Sequence, residues 1–232
     1  MSQIQTLVDT LTAYKSLSHH TSPALKQTLI AIQHWQKQRI KHTNHALFSD
    51  DKTAPLANYL IDRIYGDDEF DVLADQLLTA GHNALNGSGK LEKLIPTNAL
   101  GAGVLGVQCA VQTVELDLAL AQICQDEHPH QPIDDTLMTT LYQKANAKDA
   151  RTAQIYAIAD VCQQSDKYFN SFILQNAFKL AKKMAYNNGY QPLYDFINDG
   201  LIAMKPLKNI DDFVAPFMTN ELAIINQIHA NR

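Results

Sequence analysis

The chain has 232 residues, 19 Lys and Arg against 24 Asp and Glu, a formal net charge of -5 and 46% hydrophobic residues. That balance argues against a dedicated nucleic-acid binder, which needs clustered cations against phosphate, and the hydrophobic content excludes a disordered chain. Nine Gly and eight Pro are few for a turn-dense sandwich or barrel, and a helical chain remains.

Ile4, Leu7, Val8, Leu11 and Leu17 recur at three- and four-residue spacing, which predicts a first helix to about Ser18. Ser22-Pro23 reads as an N-cap followed by Pro at the first helical position, opening a second helix with Leu25, Leu29, Ile32, Trp35 and Ile40. Thr53 and Pro55 open a third, which Gly66 stops. Asp67-Asp68 start a fourth that carries Phe70, Leu73, Leu77 and Leu78, and Asn86-Gly87-Ser88-Gly89 is the clearest loop.

After Pro96-Thr97 comes the longest element, residues 98–126, about 43 Å long at helical rise. It is apolar over most of its circumference, which places it at the centre of the fold. Pro129 and Pro132 break the chain. Helices then follow from Asp134 or Asp135, from Lys148-Asp149 to about Phe169, and from Ser171 to Asn187-Asn188-Gly189. Pro192 opens the penultimate helix, and Asn209 or Asp211 the last, with Pro216 in its first two turns. No run alternates as a strand does. The expectation is all-α: one domain over residues 1–232, a bundle of eight to ten helices around the long central one.

No basic n-region with an apolar stretch opens the sequence, and Cys109, Cys124 and Cys162 form no CxxC pair. Three thiols read as small buried hydrophobes in a cytoplasmic protein. Residues 99–124 carry Gln108, Gln112, Glu115, Asp117 and Gln122, too polar a set for a membrane span. Gly101, Gly103 and Gly106 match GxGxxG, with Asp126 twenty residues on. The dinucleotide fingerprint needs a strand before those glycines, and helical patterning runs through them instead. They are expected to admit a neighbouring helix closely. His130 alone has an acidic residue three places before it, Glu127, and Pro129 between them breaks the shared helical face that the di-iron pairing needs, so that pairing is missing. His19, His20, His42, His45, His128 and His130 read as exposed polar residues, and neither a metal nor a cofactor is expected.

Asp117 lies within the apolar central segment, and Arg151 begins a helix carrying Ile155, Ala159 and Cys162. A buried carboxylate needs a partner, and a guanidinium supplies one, so an Asp117–Arg151 pair joining two helices is expected. Lys37, Arg39, Lys41, Lys179, Lys182 and Lys183 read as solvated faces whose stems cover core edges. The C-terminal third is rich in aromatics, Phe172 among them, and most of the set is expected in the core. Tyr190 and Tyr194 flank a loop and suit an interface or the rim of an apolar pocket.

Tyr59-Leu60-Ile61-Asp62-Arg63-Ile64-Tyr65-Gly66 resembles the signature of the FFLEELY-motif proteins, an uncharacterised bacterial family. Tyr59 and Leu60 stand for its two aromatics, Asp62 and Arg63 for its acidic pair, and Tyr65 for its tyrosine. Leu94-Ile95-Pro96, Ala99-Leu100, Leu116-Asp117, and Arg151 with Gln154 follow in the order of that family's later landmarks. The resemblance covers residues 50 to 230 and implies no chemistry. It makes Asp62, Arg63 and Tyr65 either a site or a packing unit.

Three functions stay open. The first is a non-enzymatic interaction or regulatory protein that binds a protein partner or itself. The second is a binder of a small apolar, acyl-like ligand beside Gly101, Gly103 and Gly106, which requires a cavity of several hundred Å³. The third is an enzyme using buried Glu115, Asp117 or Asp62. The candidate binding residues are Asp62, Arg63, Tyr65, Asp117, Arg151, Tyr190 and Tyr194.

Overall fold

Short polar side chains set the helix starts. Ser2 Oγ accepts from the Gln5 N–H at 3.2 Å, Ser22 Oγ from Leu25 at 3.3 Å, and Asp134 Oδ1 from Leu137 at 2.9 Å. Each satisfies one of the donors that a first turn leaves open. The computed structural model describes residues 2–64, 68–87, 97–169, 171–187 and 191–230.

The helices run α1 (Gln3–Lys15), α2 (Pro23–Thr43), α3 (His45–Ser49), α4 (Ala54–Ile64), α5 (Asp68–Leu85), α6 (Thr97–Glu127), α7 (Asp135–Ala145), α8 (Lys148–Phe169), α9 (Phe172–Asn187), α10 (Gln191–Met204) and α11 (Asp211–Ala230). The fold is all-α, and no strand occurs among the described residues. Ten of these helices stand at the places expected from the sequence. The five-residue α3 is an addition, entered directly from α2 through Asn44.

The 31-residue α6 is the central helix, with α1, α2, α4, α7 and α8 packed around it. By length and composition alone, Leu100–Glu127 also meets the requirement for a membrane-crossing helix, contrary to the reading from its polar residues. In the fold, 56% of its most apolar window is buried against other helices. Gly101, Gly103 and Gly106 all lie within α6. Gly101 faces the Gln3 side chain and Gly106 faces Val161, whereas Gly103 faces open space, so only the first two abut another helix.

Two apolar clusters flank α6. One joins α1, α2, α5, α6 and α7 through residues such as Leu11, Ile32, Leu118 and Met138. The other joins α4, α8, α10 and α11 through Ile61, Ile158, Met204 and Phe213, with Ile40 and Cys109 contributed by α2 and α6. Along α2, Ile32 belongs to the first cluster and Ile40 to the second, with buried Gln36 between them. A line of polar side chains fills the junction.

Two expectations about the first helical segment are corrected. α1 stops at Lys15, and a 3₁₀ turn, Ser18–His20, carries the chain toward α2. That turn puts His19 inside the fold at 5% exposure, 5.8 Å from the Tyr14 ring, so it is not an exposed polar histidine.

Candidate functional site

Residues three or four apart share a helical face, and this alone brings several polar pairs to the junction. Thr113 and Asp117 project together from α6, Arg151 and Gln154 from α8, and Gln36 and Arg39 from α2. Burial obliges them to satisfy one another.

Their hydrogen bonds form one connected chain. Thr113 Oγ1 donates to the Cys109 carbonyl at 2.9 Å and accepts from Gln154 Nε2 at 2.7 Å. Arg151 donates Nη1 to Gln154 Oε1 at 3.3 Å and Nη2 to Asp117 Oδ1 at 2.7 Å. The same Asp117 oxygen accepts from Gln36 Nε2 at 3.2 Å, and Gln36 Oε1 accepts from Arg39 Nη2 at 3.4 Å. Arg39 Nη1 then reaches Glu221 Oε2 at 2.7 Å, and Asn44 Nδ2 donates to Glu221 Oε1 at 2.7 Å. Asn220 closes the line on Asn44 Oδ1 at 3.1 Å.

The expected Asp117–Arg151 pair therefore exists, inside a larger set. Two carboxylates, Asp117 and Glu221, balance two guanidinium groups, Arg39 and Arg151. Tyr142 of α7 adds an aromatic wall: its ring lies 5.2 Å from the Arg151 guanidinium carbon, and its hydroxyl accepts from Gln36 Nε2. Burial pushes the Tyr142 phenol up, against the pull of Arg151 and Arg39. Arg39, expected on a solvated face, is instead drawn into this cluster.

A cavity of about 20 Å³ opens among Gln36, Arg39, Tyr142, Arg151, Gln154 and Glu221. That space has room for one water molecule and no larger ligand. Asp117 is fully buried, and its Oδ2 receives no hydrogen bond from any described residue. The other two carboxylates considered for catalysis, Asp62 and Glu115, are exposed, which corrects the expectation that they are buried. The three cysteines are free and buried, as expected, and burial pushes the Cys109 and Cys162 thiols up to about 12. Such thiols are poor nucleophiles and poor metal ligands. Among the described residues no three His, Cys, Asp or Glu side chains are grouped to hold a metal ion.

The segment with the FFLEELY-like pattern packs against α10. Tyr59 donates its hydroxyl to the Phe196 carbonyl at 3.1 Å, and Arg63 Nη2 meets Asp199 Oδ2 at 3.1 Å while lying over the Phe196 ring. Gly200 makes room for the phenol: a methyl there would sit 3.0 Å from Tyr59 Oη. Ile61 points inward at 3% exposure. Tyr65 and Tyr190 lie outside the described residues. Tyr194 is buried and stacked on Phe178 at 4.3 Å, with Tyr186 edge-on at 5.8 Å. It joins α10 to α9 and forms no rim, because its ring lies flat within the helix contact.

On α9 several large apolar side chains face outward together. Phe172, Ile173 and Leu180 are 76%, 81% and 83% exposed, and Met184 and Ala177 are also at the surface. Phe172 is thus not in the core. The sequence did carry a signal here, the spacing of 173, 177, 180 and 184.

Residues 15–232 match the family described as Domain of unknown function (DUF8198). The chain belongs to that family. The matched region takes in the polar junction and α9 alike, so both are parts of the family's domain. No curated protein and no solved structure matches the chain.

Proposed function

We propose that this chain is a non-enzymatic interaction protein that docks a protein partner along the outer face of α9. The observation that carries the reading is the exposure of Phe172, Ile173 and Leu180 on one short helix. Isolated surface apolar residues need no explanation, whereas several large ones gathered on one helix mark a contact surface. The polar junction supports the same reading from the other side. Its charges are consumed by one another, and Asp117, the one buried carboxylate of the three considered for catalysis, is sealed from solvent.

The acyl-ligand reading finds less support among the described residues, since Gly103 faces open space and the junction cavity, although Ile155, Ile224, Ile225 and Ile228 also line it, is only water-sized. Free, buried thiols agree with a cytoplasmic location. The motif helix, with Tyr59 and Arg63 engaged on α10, fits a packing role.

A photo-crosslinking residue placed at Leu180, compared with one at exposed Asn58 on α4, tests this in cells that make the protein. A discrete protein adduct from position 180 that is missing at position 58 is the expected result. No adduct at 180, or the same adducts from both positions, contradicts it.

A further inference from the structure

The outer face of α9 has a spacing and a charge that specify its occupant. Ile173, Ala177, Leu180 and Met184 follow one another at intervals of four, three and four residues. At about 100° per residue these positions fall within an arc of about 60°, a straight apolar seam about 16 Å long. An alternating three-four seam is the pattern into which a second helix packs its own side chains, and Ala177 leaves a hollow at its middle.

The flank of this seam is basic. α9 carries Lys179, Lys182 and Lys183 and has no Asp or Glu between 172 and 187, in a chain whose formal charge is -5. Lys182 lies over the Tyr186 ring at 5.2 Å, close to its own helix. Lys179 and Lys183, four residues apart on the same side of the seam, are exposed and form no ion pair with any described residue. The opposite side of α9 is covered, where Phe178 stacks on Tyr194.

We infer that the occupant is an amphipathic helix of a partner protein, with apolar residues at three-four spacing and carboxylates along one edge. This rests on the docking reading above and adds the partner's chemistry. A second copy of the chain is a poor occupant, because two α9 helices would align Lys179 and Lys183 of both chains with no acidic residue on either helix to answer them. An anionic membrane is a poorer match as well: surface-binding segments use clusters of about four to eight cations, and this seam has two beside it.

The test uses the full chain and two synthetic helical peptides with the same leucine seam, one flanked by Glu and one by Lys, read by fluorescence anisotropy. The Glu-flanked peptide is expected to bind at least about tenfold more tightly at low salt, a preference that narrows as salt screens the flank. Leu180→Glu should abolish binding, and Lys179→Glu with Lys183→Glu should reverse the preference, with circular dichroism showing that each variant folds. Equal affinity for the two peptides, no binding of either at about 100 µM, or binding unaffected by Leu180→Glu overturns the inference. So does co-sedimentation with phosphatidylglycerol vesicles in place of peptide binding. If the charge preference fails while the adduct at position 180 stands, the docking face survives and the acidic partner does not.

Discussion

Arg151 Nη2 meets Asp117 Oδ1 at 2.7 Å between α8 and α6, with side-chain exposures of 5% and 0%. Taking both charges out of water is costly, and their attraction offsets the cost only while the pair is intact. Asp117→Ala should therefore lower stability by about 3–5 kcal/mol by stranding Arg151, and Arg151→Met should do the same by stranding Asp117. Asp117→Ala with Arg151→Met should lose less than the sum of the two single changes, by more than about 1 kcal/mol. Urea denaturation of the four proteins measures this. Strict additivity would mean that the two charges do not act as a pair.

His19 gives the chain a pH dependence. Burial first, and then the neighbouring His20, lower its imidazole from 6.5 to about 4, while Asp71 opposes the shift. Between those values the unfolded chain takes up a proton that the folded chain refuses. Stability is thus complete above about pH 6.5 and falls as the pH drops toward 4, by at most about 1.4 kcal/mol per unit from this group. His19→Phe should flatten the curve across that window in urea titrations at successive pH values. An unchanged slope would assign the acid sensitivity elsewhere.

Gly81 sets how closely α5 approaches α1. A methyl at this position would lie 2.6 Å from Val8 Cγ2, and Val8 is buried and confined to one favoured rotamer by its β-branch. Gly81→Ala should therefore destabilise by about 1–3 kcal/mol, although alanine favours a helix by about 1 kcal/mol. Adding Val8→Ala should recover much of the loss, as thermal denaturation will show. A stabilised single variant would mean that the two helices separate without cost.

How much of this was legible depended on whether the deciding interaction is local. Ser22, Asp134 and the proline breaks act within a few residues, and the helices they start lie where the sequence places them. Asp117 announced its need for a partner because it interrupts an apolar run. Glu221 and Arg39 gave no such sign: each looks like an ordinary surface residue of its own helix, and they meet only because α2 and α11, 182 residues apart at this contact, pack together. His19 was misread because a 3₁₀ turn, not a loop, aims it inward. On α9, the exposed positions 173, 177, 180 and 184 lie beside the covered positions 178, 181 and 185. In sequence this is one wide apolar face, and only packing on α8 and α10 decides which part stays uncovered.

If α9 keeps its outer face for a partner, Ile173 and Leu180 contribute nothing to the fold of the isolated chain. The thermal melt of Ile173→Glu with Leu180→Glu decides this. Solvent-facing residues change stability by about 0.5 kcal/mol or less, so the melting temperature should stay within about 2 °C of the parent. A fall of about 5 °C or more would show that these side chains are packed within the chain itself, and the docking face would be lost with that result.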